Sequence, residues 1–175
     1  KGADVNAKDN LSGTSLHFAA LPGQNKTGKL EIAKLLITKG ADMNAKEDNN
    51  GWTALHACVM QLGEGNEEVA ELLIIRGADV NAKAQDGWTP LHTAGSKERG
   101  LKPPYKAAPS ERKQIVEILI ENGADVNAKL PDGTTAIHIA TRAGIKDMVE
   151  ILIAKGANIN EKSGELESPL GVAIM

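Results

Sequence analysis

The sequence predicts an all-α repeat solenoid, built of helix-turn-helix pairs joined by short hairpin loops. Three observations predict it. A Gly-Ala-Asp/Asn step, followed by an apolar residue and Asn, recurs at Gly2, Gly40, Gly77, Gly123 and Gly156. A second motif ends 15 or 16 residues after each glycine: Thr14-Ser15-Leu16-His17, Thr53-Ala54-Leu55-His56, Thr89-Pro90-Leu91-His92, Thr135-Ala136-Ile137-His138 and Ser168-Pro169-Leu170-Gly171. The glycine intervals are 38, 37, 46 and 33 residues, and nearly all of that variation falls after the histidine. Such a period marks one supersecondary unit that cannot bury its faces alone and must stack on its copies.

Each element has a local cause. Thr89-Pro90 opens a helix, because Thr accepts a backbone N–H at the N-cap and Pro suits the first helical position. That helix runs through His92 and Ala94. Its small residues, Ala19, Ala20, Ala57, Cys58, Ala94, Ala140 and Ala173, are expected to face neighbouring helices. A second helix follows, with apolar residues at helical spacing: Ile32, Leu35, Leu36; Val69, Leu72, Leu73; Ile115, Ile118, Leu119; Met148, Ile151, Leu152. It ends at the repeat glycine, which accepts the left-handed conformation of a helix C-terminus. The turn-rich stretch beyond it, such as Asp125 to Gly133, reads as a projecting hairpin-like loop.

The units stack in one array. The register predicts the end of a preceding repeat at 1–8, repeats at 9–46, 47–83, 84–129 and 130–162, and the first half of a further repeat at 163–175. Both ends are therefore expected to be cut from something longer. Relative to the shortest unit, the others carry 5, 3 and 13 extra residues between their two helices. The largest insertion spans about 96–110. Its prolines and glycines argue against a helix, and Ser110 is the expected N-cap of a second helix running from Glu111. Six basic and two acidic residues lie between Lys97 and Lys113.

These motifs, in fixed order along the whole chain apart from the extra residues, closely resemble the ankyrin repeat. The 33-residue interval from Gly123 to Gly156 is that family's usual length. The resemblance implies that the motif histidine bonds to neighbouring loop backbone and steadies the hairpin. It also implies that the insertions lie at the base of the stack, away from the loop tips.

Bulk properties narrow the function. Aromatic residues make up 2% of the 175 and net charge is −3, which does not favour a nucleic-acid partner. Cys58 is the sole cysteine, so an internal disulfide and a multi-cysteine zinc site are excluded. This fits a reducing, intracellular setting, either cytoplasmic or inside a host cell after delivery. No apolar run approaches the roughly 18 residues of a membrane span. No signal peptide is visible in a chain that starts at Lys1. Gly-rich phosphate loops, nucleophile elbows and metal-spaced clusters are lacking too, so no catalytic residue, cofactor, metal or small-molecule substrate is expected. All four histidines occupy one motif slot, and about 10 Å of helix separates successive layers, too far to share a metal. Cys58 stands where the repeat takes Ala, which predicts inert buried packing.

The residues left over are candidates for contact with another protein. Trp52 and Trp88 sit between loop glycine and Thr, a slot that the resemblance makes surface-facing on the loop side of the groove. Aromatic anchors suit interfaces, although packing on the neighbouring loop explains them equally. On the contact reading, changing both to Ala weakens binding and leaves the thermal midpoint nearly unchanged. The same register adds Asn49, Asn50, Met60 and Gln61; Gln85, Asp86, Ser96 and Lys97; Thr134 and Arg142. A secondary candidate is the basic insertion, through Arg99, Lys102, Tyr105 and Lys106. Lys8, Lys46, Lys83, Lys129 and Lys162 form a ladder, expected to be a solvated edge among acids. The expected function is a non-catalytic interaction module, an adaptor or scaffold that binds a partner through its hairpin loops and inner-helix groove. The alternative is a targeting or regulatory segment of a larger enzyme or bacterial effector.

Overall fold

The computed structural model describes residues 3–10, 12–21, 26–60, 66–96 and 109–164. Among the described residues lie eight helices in two rows. The short row is α1 (Ser15–Ala20), α3 (Ala54–Met60), α5 (Pro90–Ala94) and α7 (Ala136–Arg142). The long row is α2 (Lys26–Thr38), α4 (Asn66–Ile75), α6 (Pro109–Glu121) and α8 (Lys146–Ala154). Each helix packs on its pair-mate and on its neighbours in the same row, which makes an all-α solenoid. The third long helix starts two residues before its expected start. Pro109 is its first residue, a position whose N–H would have no intrahelical partner anyway, so position 110 lies inside the helix.

The core lies between the rows. Among the described residues, every small residue expected to face a neighbouring helix is buried, and so are Val69, Leu73, Ile115, Leu119, Met148 and Leu152. The first long helix departs from expectation. Ile32 is 51% exposed and Leu35 57%, whereas Val69, Ile115 and Met148, the register mates of Ile32, are at most 2% exposed. The cause is positional: in α4, α6 and α8 that face meets the preceding long helix, and no described helix packs on that side of α2.

The repeat glycines end the long helices as the sequence predicts. Gly40, Gly77, Gly123 and Gly156 have φ between +88° and +100°. At each, the N–H of the following residue reaches back to the carbonyl four residues before the glycine, as in Ala41 N to Leu36 O at 3.0 Å and Ala124 N to Leu119 O at 2.9 Å. This Schellman closure satisfies carbonyls that the helix leaves orphaned. The loop asparagine then clasps the next layer. Asn44 Nδ2 donates to Gly77 O (3.2 Å) and its Oδ1 accepts Asp79 N–H (2.8 Å). Asn6, Asn81 and Asn127 repeat the clasp on Gly40, Gly123 and Gly156.

The histidines form a second stitch. Thr53 N–H donates to His56 Nδ1 (3.2 Å), and His56 Nε2 lies 3.0 Å from the Trp88 carbonyl. A backbone N–H only donates and a carbonyl only accepts. Nδ1 is therefore bare, Nε2 carries the proton, and the ring is neutral. His17, bonded to Thr14 and the Trp52 carbonyl, and His138, bonded to Thr135 and the Glu161 carbonyl, hold the same tautomer. With Thr14, Thr89 and Thr135, His17, His92 and His138 complete capping boxes in which His takes the place usual for Glu or Gln. His92 keeps its bond to Thr89 N–H (3.3 Å). Its Nε2 faces the carbonyls of Thr134 and Ala128, more loosely than His56 meets the Trp88 carbonyl.

The turns inside the helix pairs separate into two kinds. Between α7 and α8, in the unit of usual length, backbone alone closes the turn: Gly144 has φ +63°, and Ile145 N–H reaches Ala140 O at 2.9 Å. Where extra residues intervene, a side chain from the start of the second helix covers the end of the first. Lys29 Nζ donates to Leu21 O, Asn66 Nδ2 to Cys58 O (2.9 Å), and Arg112 to Ala94 O. The two cations also meet the negative end of a helix dipole. Cys58 is fully buried, its Sγ donates to Asn66 O at 3.0 Å, and burial pushes the thiol pKa up to about 12. This is the inert packing that its slot implies.

Three outcomes follow from these contacts. Gly123→Ala adds a Cβ that meets nothing within 4 Å, so its expected loss of about 1 kcal/mol in urea denaturation reflects φ alone. Gly51→Ala, whose Cβ would lie 3.0 Å from Gln85 N, should lose more. Asn66→Ala strips the buried Cys58 carbonyl of its partner and should lose about 1–3 kcal/mol. Asn122→Ala, which removes an exposed bond within its own helix end, should stay within a few tenths of wild type.

The third outcome concerns pH. Burial holds the pKa of His56 and of His92 down to about 4, and lowers that of His138 in the same direction. The unfolded chain takes protons near pH 6.5 that the native rings refuse. Stability from His56 and His92 is therefore fully present above about pH 6.5 and is lost as pH falls through about 4. The slope reaches about 1.4 kcal/mol per pH unit per ring. Urea midpoints at pH 7.0, 5.5 and 4.5 measure it, and a flat profile would contradict the buried neutral tautomers.

Candidate functional site

The loops that join the layers stand side by side along one edge. Each closes on itself through backbone: Glu47 N to Trp52 O at 2.9 Å, Ala84 N to Trp88 O at 2.8 Å, and Leu130 N to Thr134 O at 2.8 Å. Gly51, Gly87 and Gly133, with φ from +69° to +83°, make the turns. Neighbouring loops then join. Gln85 N–H donates to Asn50 O (2.9 Å) and its carboxamide to Asp48 O (2.9 Å). An open cleft of 460 Å³ lies at this junction, bordered by Lys8, Lys46, Glu47, Asp48, Ala84 and Gln85.

The expected contact residues divide by exposure. Asn49, Asn50, Gln85, Asp86 and Arg142 are exposed, and Met60, Trp88 and Ser96 are half-buried. Gln85 and Asn50 meet directly, while Asp86 Oδ1 accepts its own loop's Trp88 N–H at 3.2 Å. Two expectations need correction. Trp52 is not surface-facing: it is 6% exposed and stacks on His56, ring centres 5.9 Å apart and planes 29° apart. Its ring packs on the inside of the loop, and its Nε1 is buried with no hydrogen-bond partner among the described residues. Thr134 is 3% exposed, and its N–H is held by Asp132 Oδ1 at 2.8 Å, so it belongs to the loop framework. Trp88 tilts over His92 at 6.2 Å. Gln61, Lys97, Arg99, Lys102, Tyr105 and Lys106 lie outside the described residues.

The lysine ladder is tied across layers. Lys8 pairs with Asp48 of the next layer, Lys46 Nζ reaches Lys83 O (2.8 Å), and Lys129 pairs with Glu161 (2.9 Å). Hydrogen bonds from Lys8 and then Ser12 hold the exposed Asp48 carboxyl below the usual range. The sequence reading did not include Lys8, Lys46, Glu47 and Asp48 among contact residues. The constant six-residue offset of the ladder from each glycine was the signal that these residues share one edge. Among the described residues, no group of three or more His, Cys, Asp or Glu could hold a metal ion, and no helix is long and apolar enough to cross a membrane.

Comparison with known proteins agrees with this architecture. A family described as ankyrin repeats (3 copies) matches residues 1–84 and 65–163. The nuclear factor NF-kappa-B p105 subunit of Gallus gallus is 33% identical over 127 residues, a match that covers 55% of this chain. The match spans 13% of that protein's own length. With its repeat glycines, Thr-to-His caps and asparagine clasps in register along both matched stretches, the chain belongs to the ankyrin repeat family.

Proposed function

We propose that this chain is a non-catalytic interaction module, an adaptor or scaffold, that grips another protein with its loop edge and the groove beside it. One observation supports this most: each loop backbone closes on itself and the loops at 47–53 and 84–89 are also tied together, while the side chains exposed along the edge differ. Asn49, Asn50, Gln85 and Asp86 offer amide and acid groups on a loop backbone that has little freedom left to lose, and Arg142 at the end of α7 adds a guanidinium. Preorganisation of this kind leaves more of the contact energy for binding. Ankyrin repeats in general serve as protein-interaction modules.

Trp52 is a poor probe of this surface. Trp52→Ala removes a buried ring and should lose about 3 kcal/mol in urea denaturation, with Trp88→Ala losing less. Reduced binding by the double variant would therefore mix unfolding with lost contact. A photo-crosslinking residue at Gln85 should capture a discrete partner from lysate, and the same residue at Glu71 on α4 should not. Asp86→Asn with Arg142→Ala should remove that adduct while leaving the urea midpoint in place. Equal adducts at both positions would overturn the assignment.

A further inference from the structure

The three junctions between helix pairs are not built alike. At the junction of α3–α4 with α5–α6, the layers share the His56 bond to the Trp88 carbonyl, the Asn81 clasp, and two loop bonds from Gln85. At the junction of α5–α6 with α7–α8, the register puts Pro131 where Gln85 stands. The correspondence is physical as well as numerical. A Cβ on Gly51 would meet Gln85 at 3.0 Å, and one on Gly87 would meet the Pro131 ring at 3.2 Å. Proline has no N–H and no carboxamide, so neither loop bond can form. The histidine contact is looser as well: His92 Nε2 faces the Thr134 and Ala128 carbonyls without the 3.0 Å bond that His56 makes to Trp88 O. The junction does keep the Asn127 clasp on Gly156 and Asn158 (3.1 and 2.8 Å) and the Lys129–Glu161 pair. Those surviving bonds all lie where the loop leaves α6 and where α8 ends.

We propose that this junction is a hinge: α7–α8 opens as a unit about the Asn127 clasp while α1–α6 stays closed. In a stacked array each layer contacts only its neighbours, so a junction without the loop bonds that Gln85 makes opens before one that has them. The hinge sets the aperture of the loop edge at its Asp132 end, and it stands whether or not that edge binds a partner.

Native-state hydrogen exchange on the whole chain tests the hinge. Amides of α7 and α8 should exchange together, on the order of 25-fold faster than the buried amides of α3 and α4, since two loop bonds are missing and each accounts for about fivefold. Pro131→Gln should slow the α7–α8 group by about fivefold and leave α3 and α4 unchanged. Loss of proline loosens the unfolded chain and by itself acts the other way, so slower exchange in this variant reports the restored loop bonds. One common exchange rate across all the helices would overturn the proposal. Fast α7–α8 exchange that Pro131→Gln leaves unaltered would overturn it too, since that is plain fraying of an end.

Discussion

The peptide group between Trp52 and Thr53 accepts a hydrogen bond from one histidine and donates one to the next. Its carbonyl takes His17 Nε2–H, and its N–H supplies His56 Nδ1. His56 then passes its own N–H to the Trp88 carbonyl, whose peptide partner, Thr89 N–H, holds His92. Imidazole and peptide alternate from layer to layer, and each bond polarises the one after it. The loop geometry depends on this line, because the same carbonyls close the hairpins through Glu47 and Ala84. The helix starts depend on it too, since the Thr N–H groups it uses sit at the N-caps of the short helices.

Most of this framework was legible in the sequence, because it repeats. Four copies of Gly, Thr and His in register carry enough information to place the helix caps and, through the family resemblance, the histidine stitch, whereas the asparagine clasp emerged only in the structure. Features that occur once were harder to read. The start of α6 lay two residues from its expected place, since Pro109 and Ser110 both carry start signals and only the structure chooses between them. Lys29, Asn66 and Arg112 cover helix ends in the units with insertions, yet no two are the same residue type, so no pattern announces them.

The candidate site was legible as an edge and not residue by residue. Register identified which residues lie in the loops, where Asn49, Asn50, Gln85 and Asp86 are exposed, and it also singled out Arg142, exposed at the end of α7. It could not say which side of a loop a ring takes. Trp52 folds inward onto His56 while Trp88, in the same slot, stays half-buried. A loop residue large enough to reach the core gains more by burying its apolar surface than by standing in water.

Most side chains that stitch the layers reach one way. His17 and His56, Asn44 and Asn81, and Lys46 and Lys129 each reach from an earlier layer to a later one, while the Gln85 side chain reaches back and Asp79 and Asp125 return backbone N–H groups to Asn44 and Asn81. A nascent chain leaves the ribosome amino end first. Each layer that folds therefore presents donors already aimed at a carbonyl that has yet to emerge. The Thr-to-His cap is made inside a layer before its successor exists, so every new layer docks onto a finished template. Translation and assembly then run in the same direction.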